Sequence, residues 1–419
     1  MIKSELEIII FMMTFPFKKD QFCVPELPHL AALFRSIVIV PKQITGKKQQ
    51  IPANIAVDPS LAKTLKYYRI IQLPLITLFQ IFSSYEFYNE IVKKPRQTLH
   101  FDSFIRLIHY FGDAIRTEKW VVDFINHNHI NLKKTIFYTY WLDETTMGLC
   151  LAKKKFPEMK IISRAHGFDI YNERSTYGYI PFRPEIFENL NKVYTASLDG
   201  EHYLSQRNPV YKDIFKVELL GINNPGFVTK QSDDSVFRIV SCSAMVPVKR
   251  VELLIHGLKK LGNLQREQNF FWVHIGTGPL ETTIKKISKT LPENIEYHFL
   301  GQIPNKDVIS FYKNNPIDIL INVSQSEGGN PVSIMEAQSC GIPVIATAVG
   351  GNIEIVNEKV GILLNADPTP EEIANAIINF MKNPELIKER KYYSKINYEE
   401  NYDADKNFQS FAQELIKLF

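Results

Sequence analysis

Two carboxylates nine positions apart, Glu327 and Glu336, mark the stretch of this chain best suited to chemistry. They lie in Ser326-Glu327-Gly328-Gly329-Asn330-Pro331-Val332-Ser333-Ile334-Met335-Glu336-Ala337. An apolar run that reads as a strand, Ile317 to Ile321, comes directly before. Asn330 suits an N-cap and Pro331 the first helical position. A helix starting there would turn free N–H groups and a positive dipole end toward a ligand. Glu327, in the loop, can face polar ligand groups. Glu336, between the first and second turns, is suited to bind a pair of hydroxyls, as on a ribose. The alternative is a capped helix with solvent-facing glutamates.

Three further segments have the residue types of a ligand site. Ser243 to Arg250 joins a predicted strand to a predicted helix and ends in Lys249 and Arg250. Two cations at a helix N-terminus oppose its dipole, a conflict that a diphosphate would relieve; simple solvation is the other reading. Gly276-Thr277-Gly278-Pro279 follows a strand, and its glycines allow close backbone approach to a ligand or a purely structural turn. Ser163-Arg164-Ala165-His166-Gly167-Phe168-Asp169 sets Arg, His and Asp at a strand's carboxyl end, where His166 could hydrogen-bond a sugar hydroxyl or a backbone group. Tyr138, Tyr140, Trp141 and Asp143 end the preceding strand and could stack on and hydrogen-bond a sugar; core packing is the alternative for the two tyrosines. The sequence has no recognisable Ser-His-Asp arrangement, metal-ligand cluster or Walker-type loop, so no metal is called for.

These segments need strands to present them. In the second half, strand patterns fall at Phe237 to Cys242, Phe270 to Ile275, Glu296 to Leu300, Ile317 to Ile321, Pro343 to Ala346 and Gly361 to Leu364, with amphipathic helical patterns between them. Such alternation implies a parallel sheet covered on both faces, a Rossmann-like domain. The first half has strand patterns at Glu7 to Met13, Ser36 to Val40, Thr135 to Tyr140, Lys160 to Ser163 and Lys192 to Thr195. Two long helical regions, about 61–93 and 99–126, stand between the early and late strands. The linker-like Leu220 to Gly226 sets the expected division. Residues 1–222 are expected to form one domain, with a helical insertion, and residues 223–403 a second. A C-terminal helix, 404–419, is free to pack back on the first. The expected class is α/β, with two Rossmann-like domains facing each other across a cleft.

Composition agrees with a globular chain. The 419 residues are 45% hydrophobic and 22% charged, with a net charge of +4. That balance gives no basic stripe for nucleic acid, and tolerates loose contact with an anionic membrane face. The four cysteines, Cys23, Cys150, Cys242 and Cys340, have no zinc or redox spacing, which suits reduced thiols in a cytoplasmic protein. The apolar start, Leu6 to Phe15, has mixed flanking charges and is too short to span a bilayer, so it reads as a buried first strand.

Taken in order, these motifs resemble the large retaining GT-B glycosyltransferase family four (glycosyl transferases group 1), in its bacterial polysaccharide and lipopolysaccharide branch. The resemblance rests on Glu327 to Glu336, followed by Gly341 to Thr347 and Gly350-Gly351-Asn352-Ile353-Glu354. Lys249 and then Gly276 to Pro279 precede these, with Tyr140 to Asp143 and Arg164 to Asp169 in the first half. It covers most of residues 135 to 365. It implies a retaining hexosyltransferase-type enzyme (EC 2.4) that uses a UDP- or GDP-linked sugar as substrate and no metal or other cofactor. The acceptor would be a glycan or lipid-linked glycan in surface polysaccharide synthesis, at the inner membrane face or in the cytoplasm. By position, the resemblance implies that Glu327 contacts the donor sugar, Glu336 the ribose and Lys249 the diphosphate. His166 would sit near the transferred sugar, and Gly276 and Gly278 beside the nucleotide. Gly328, Gly329, Asn330 and Val332 would line the donor through backbone N–H groups.

Three departures accompany it. The family has seven residues between its glutamates, whereas Gly328 to Met335 is eight. If Asn330-Pro331 caps the helix, the extra residue displaces Glu327 rather than Glu336. The family's arginine five residues before the lysine is Ala244 here, and Arg250 is the candidate replacement. A glycine-rich loop after the first strand gives way to Phe15 to Gln21. Two alternatives follow, a catalytically weak homologue acting as a partner subunit and a nucleotide-sugar epimerase on the same fold.

Overall fold

The run Ile8-Ile9-Ile10-Phe11 is buried throughout, as a strand covered on both faces must be. It opens the fold as an interior strand of the first sheet. The computed structural model describes residues 4–18, 23–64, 75–98, 100–175 and 178–419. Parts of the predicted helix over 61–93 and of the Phe15 to Gln21 segment lie outside these. The chain divides into two compact units, Met1–Glu218 with Phe408–Phe419, and Leu219–Asn407.

The first unit holds β1 (Glu7–Met12), β2 (Ser36–Pro41), β3 (Ile55–Val57), β4 (Thr135–Thr139), β5 (Lys160–Ala165), β6 (Lys192–Thr195) and β7 (Phe215–Val217). They pair in the order β3-β2-β1-β4-β5-β6-β7, all parallel. The predicted strands are found within a residue or two. β3 and β7 went unread because three residues carry no usable period. Between β3 and β4 stand the helices Leu75–Ser83, Tyr85–Lys93, Pro95–Thr98 and Phe101–His127, where the sequence suggested two long ones. The helix Ala404–Ile416 begins in the second unit and joins the first, where Phe411 packs edge-on against Tyr194 and Tyr138.

The second unit holds β8 (Val236–Cys242), β9 (Asn269–Ile275), β10 (Ile295–Gly301), β11 (Ile319–Asn322), β12 (Val344–Thr347) and β13 (Gly361–Leu364), ordered β10-β9-β8-β11-β12-β13 and again all parallel. The chain runs outward from β8 to β10, then crosses back to lay β11 beside β8, with Ile319 opposite Ile239. That reversal is a topological switch point, where loops at the carboxyl ends of two adjacent strands diverge and open a crevice. The loops after β8 and β11 are the ones that carry Lys249 and Glu327. Among the described residues, no helix is long and apolar enough to cross a membrane.

Candidate functional site

Because β8 and β11 are neighbours, residues 78 positions apart in sequence meet: Lys249 Nζ lies 2.5 Å from Glu327 Oε1. Asn322, the last residue of β11, donates its Nδ2 to the same oxygen at 3.2 Å, while its Oδ1 accepts the Ser324 N–H at 3.0 Å. Glu327 is 9% exposed and Lys249 half-buried. The pair is thus a cation and an acceptor held at a switch point, the chemistry needed to meet a diphosphate and a hydroxylated ring. Asn322 is a positioning residue that the sequence did not single out, because an asparagine ending a strand looks like any turn former.

Arg250 corrects its expected role. It sits at φ +48°, ψ +38°, ahead of the helix Val251–Leu264. Its guanidinium donates to the carbonyls of Val323 (2.8 Å), Ser324 (3.0 Å) and Ala366 (2.8 Å) and pairs with Asp367 at 2.9 Å. These contacts make it a strut under the Glu327 loop.

The cap of the helix Val332–Ser339 also differs from expectation. Pro331, at φ −65° and ψ 127°, is the N-cap, with no side-chain hydrogen bond, and the helix opens at Val332. Asn330 instead turns its Nδ2 to the Tyr402 hydroxyl at 3.2 Å, leaving its buried Oδ1 without a hydrogen-bond partner. Proline's missing N–H and fixed φ fit either position, so local pattern could not separate them. Gly328 is buried and Gly329 half-buried beside this turn. The loop rests on Gly350 and Gly351: a Cβ at Gly350, where φ is +47°, would stand 1.9 Å from Glu327 O, and one at Gly351 would stand 2.3 Å from Gly329.

Glu336 lies on the same helix, 4% exposed, with the Asn305 side-chain amide hydrogen-bonded to its Oε1. Burial pushes its carboxyl up to about 8, against a smaller pull from Asn305. The carboxyl is therefore mostly neutral at pH 7. Gly276 and Gly278 have a structural reason of their own. Cβ atoms there would stand 1.9 Å from Ser243 O and 2.5 Å from Met245 O. Their absence lets the loops after β8 and β9 zip together through Met245 N to Thr277 O at 2.9 Å.

In the first unit, His166 is half-buried after β5, its ring centroid 4.4 Å from Trp141 and 5.1 Å from Tyr140. Phe168, half exposed, packs on the other side of Trp141 at 4.8 Å. Asp169 organises this turn. Its carboxylate accepts the N–H groups of His166 and Gly167 at 2.8 Å and of Leu142 at 3.1 Å, and lies 3.9 Å from His166 Nδ1. Burial works against that charge, but the contacts with His166 and the backbone hold its carboxyl below the usual range. A cavity of about 210 Å³ opens beside it, lined by Arg106, His109, Tyr110, Asp143 and Phe168 among others.

Three neighbours serve the fold instead. Arg164 is fully buried, 3.2 Å from Glu26, with Nη1 on Glu218 O at 2.8 Å and its plane 4.1 Å over Phe411. Tyr138, also fully buried, bonds both Glu26 and Arg164 at 3.0 Å. Asp143 caps the helix Glu144–Lys153 and pairs with buried Lys42 at 2.8 Å.

Two parallel-sheet Rossmann-like units make up a GT-B fold. Residues 227–399 match the family described as Glycosyl transferases group 1. An uncharacterized glycosyltransferase of Methanocaldococcus jannaschii is 24% identical over 306 residues, 69% of this chain and 76% of that protein. The lipopolysaccharide outer core galactosyltransferase WaaB, in its apo form, superposes with a TM-score of 0.71 at 12% identity, covering 99% of this chain and 100% of that one. Anabaena HepE in complex with UDP gives 0.66 at 14% identity, over 98% and 100%. The second unit is thus similar to glycosyl transferases group 1 over about two fifths of the chain, and the whole chain shares its fold with these solved structures.

Proposed function

We propose that the protein is a retaining hexosyltransferase that moves a sugar from a UDP- or GDP-linked donor to a glycan or lipid-linked glycan acceptor in surface polysaccharide synthesis. The Lys249–Glu327–Asn322 arrangement carries this reading. A bound diphosphate would draw the Lys249 ammonium from Glu327, which frees the carboxylate for sugar hydroxyls. Negative charge on the leaving diphosphate is then met by Lys249 and by the N–H groups at the start of the helix Val332–Ser339, a preorganised electrostatic stabilisation. Glu336 would accept the ribose hydroxyls as its carboxyl ionises. His166, on the Trp141–Phe168 shelf, suits the flat apolar face of a sugar.

The test is a thermal-shift panel with UDP, GDP, ADP, CMP and their sugars, without added metal. A ligand at about a hundred times its dissociation constant stabilises the fold by about 2.7 kcal/mol. A shift with one nucleotide, and transfer that Glu327→Gln abolishes while leaving Tm unchanged, are expected. Full activity in that variant would remove Glu327 from the chemistry. The engagement of Arg250 with the loop favours a second reading, a weakly active partner subunit, because it leaves the diphosphate short of a cation. That reading predicts no shift with any nucleotide.

A further inference from the structure

A helix on a protein surface needs one apolar face, turned inward. The helical insertion of the first unit has two. Its inner face is packed: Ile81 and Phe87 are fully buried, and Phe87 meets Phe82, Phe104 and Phe111 at 5.7 to 6.1 Å. Its outer face carries Phe79, Tyr85, Val92 and Phe101, each 73 to 75% exposed, with Tyr88 and Ile105 at 39 to 51%, and Phe82, 43% exposed, lies at the margin between the two faces. Seven of the 19 exposed large hydrophobics among the described residues thus fall within 79–105. Single exposed apolar residues need no explanation, whereas a concentration of aromatic ones marks an interaction surface.

Charge identifies the partner. Lys93, Lys94 and Arg96 are exposed at the end of the helix Tyr85–Lys93 and just beyond it. The acids nearby are largely withdrawn. Glu86 pairs with Lys154 at 2.5 Å, and Glu90 is 6% exposed and accepts the Tyr179 hydroxyl and, at 3.1 Å, the Phe182 N–H. Asp102 is the exposed acid that remains in the segment. Exposed Tyr and Phe beside a basic run match an anionic bilayer, whose interface takes amphipathic rings and whose head groups attract Lys and Arg. A second copy of the chain is disfavoured, because a two-fold contact through this face would set basic runs against each other.

We infer that residues 79–98 and 100–105 form a docking surface for an anionic membrane, lying on the interface and not crossing it. This goes beyond the transfer reaction and is tested without donor or acceptor, so its failure leaves the transferase reading untouched. The full chain is sedimented with vesicles of phosphatidylcholine alone and with one third phosphatidylglycerol. Binding to the anionic vesicles, weakened by salt, is expected. Lys93→Gln, Lys94→Gln and Arg96→Gln together should lower the partition coefficient roughly a hundredfold, at about fivefold per charge. Phe79→Ser, Tyr85→Ser and Phe101→Ser together should lower it tenfold or more with Tm unchanged. In Val92→Trp, which alters one exposed position, indole emission should shift to the blue on adding anionic vesicles. No binding by the unaltered chain, equal binding by the aromatic variant, or no emission shift would overturn the inference. So would a dimer that the aromatic variant converts to monomer, since a second copy would then cover the face.

Discussion

The carboxyl of Glu336 makes stability and donor binding depend on pH in opposite directions. An acid raised from 4.5 to about 8 keeps its proton in the folded state across that window while the unfolded chain has released it. Its contribution is complete below pH 4.5 and is lost as pH rises to 8. Linkage over these two values gives a loss of roughly 4 kcal/mol between pH 5 and pH 9. Glu336→Gln keeps the buried shape and the reach to Asn305 but cannot titrate. Its stability relative to the unaltered chain should rise by that amount over the interval, a relative gain of roughly 8 to 16 °C in Tm for a unit of this size. Buried Lys391, lowered to about 8 by desolvation, acts with the opposite sign between pH 8 and 10.5. It is common to both proteins and cancels in the difference. Calorimetry of the pair at pH 5, 7 and 9 is the assay. If Glu336 meets ribose hydroxyls as an anion, binding a nucleotide-sugar must release its proton, so affinity should rise about tenfold per pH unit up to pH 8 and then level off. In the glutamine variant that slope should vanish. Parallel stability curves for the two proteins would refute the buried-acid argument. A pH-independent affinity would refute the ribose role while leaving the first argument standing.

Gly350→Ala should lower Tm and cut transfer tenfold or more, since left-handed backbone costs alanine about 1–2 kcal/mol and its Cβ meets Glu327 O; unchanged steady-state rates would mean the loop yields freely. Arg250→Ala should destabilise the second unit by roughly 2–4 kcal/mol, because three loop carbonyls lose their donor, whereas Lys249→Ala, which leaves the Glu327 carboxylate with Asn322, should cost less and weaken nucleotide-sugar binding; denaturant unfolding and calorimetric titration of both variants separate strut from ligand contact. Glu26→Ala should cost about 3–5 kcal/mol, measured by denaturant unfolding, since it leaves the Arg164 charge buried beside Phe411 without its carboxylate.

The sheets were legible because their strands are continuous apolar runs with helical periods between them, and position in such a fold follows from strand order alone. Direction was less legible. Arg164 and Lys249 both read as cations at the end of a strand. In β5 neighbouring side chains point to opposite faces, so Arg164 joins the side of Ile162 and Tyr138, while Ile161 and Ala165 face the other core. Its aromatic lid, Phe411, comes from a helix almost 250 residues further on, beyond the reach of any local pattern. Asn305 was hidden for the same reason, because nothing near it in sequence points to Glu336. Gly350 and Gly351 entered the sequence reading only as part of a motif, although a Gly-Gly pair after a buried strand by itself signals close backbone approach, here to the loop that holds Glu327.

The extra residue between the two glutamates is where the fold adds most to the sequence. From the Asn330-Pro331 cap, the surplus should displace Glu327. With the cap at Pro331, the loop before the helix gains a residue, and its Asn330 side chain is tied to Tyr402. Glu327 is fixed from its other side. Asn322 and Lys249 hold its carboxylate, Gly350 abuts its carbonyl, and Arg250 and Thr347 fasten the Ser324 carbonyl three residues before it. These anchors come from β8, β11 and β12, which move only with the sheet. Freedom in this loop is therefore left to Gly328 to Pro331, where two glycines supply it. The same anchors account for the position of Arg250, since a cation that braces the Val323 and Ser324 carbonyls cannot also reach outward to a ligand. Rigidity at Glu327 and the inward setting of Arg250 are, on this geometry, two consequences of one arrangement.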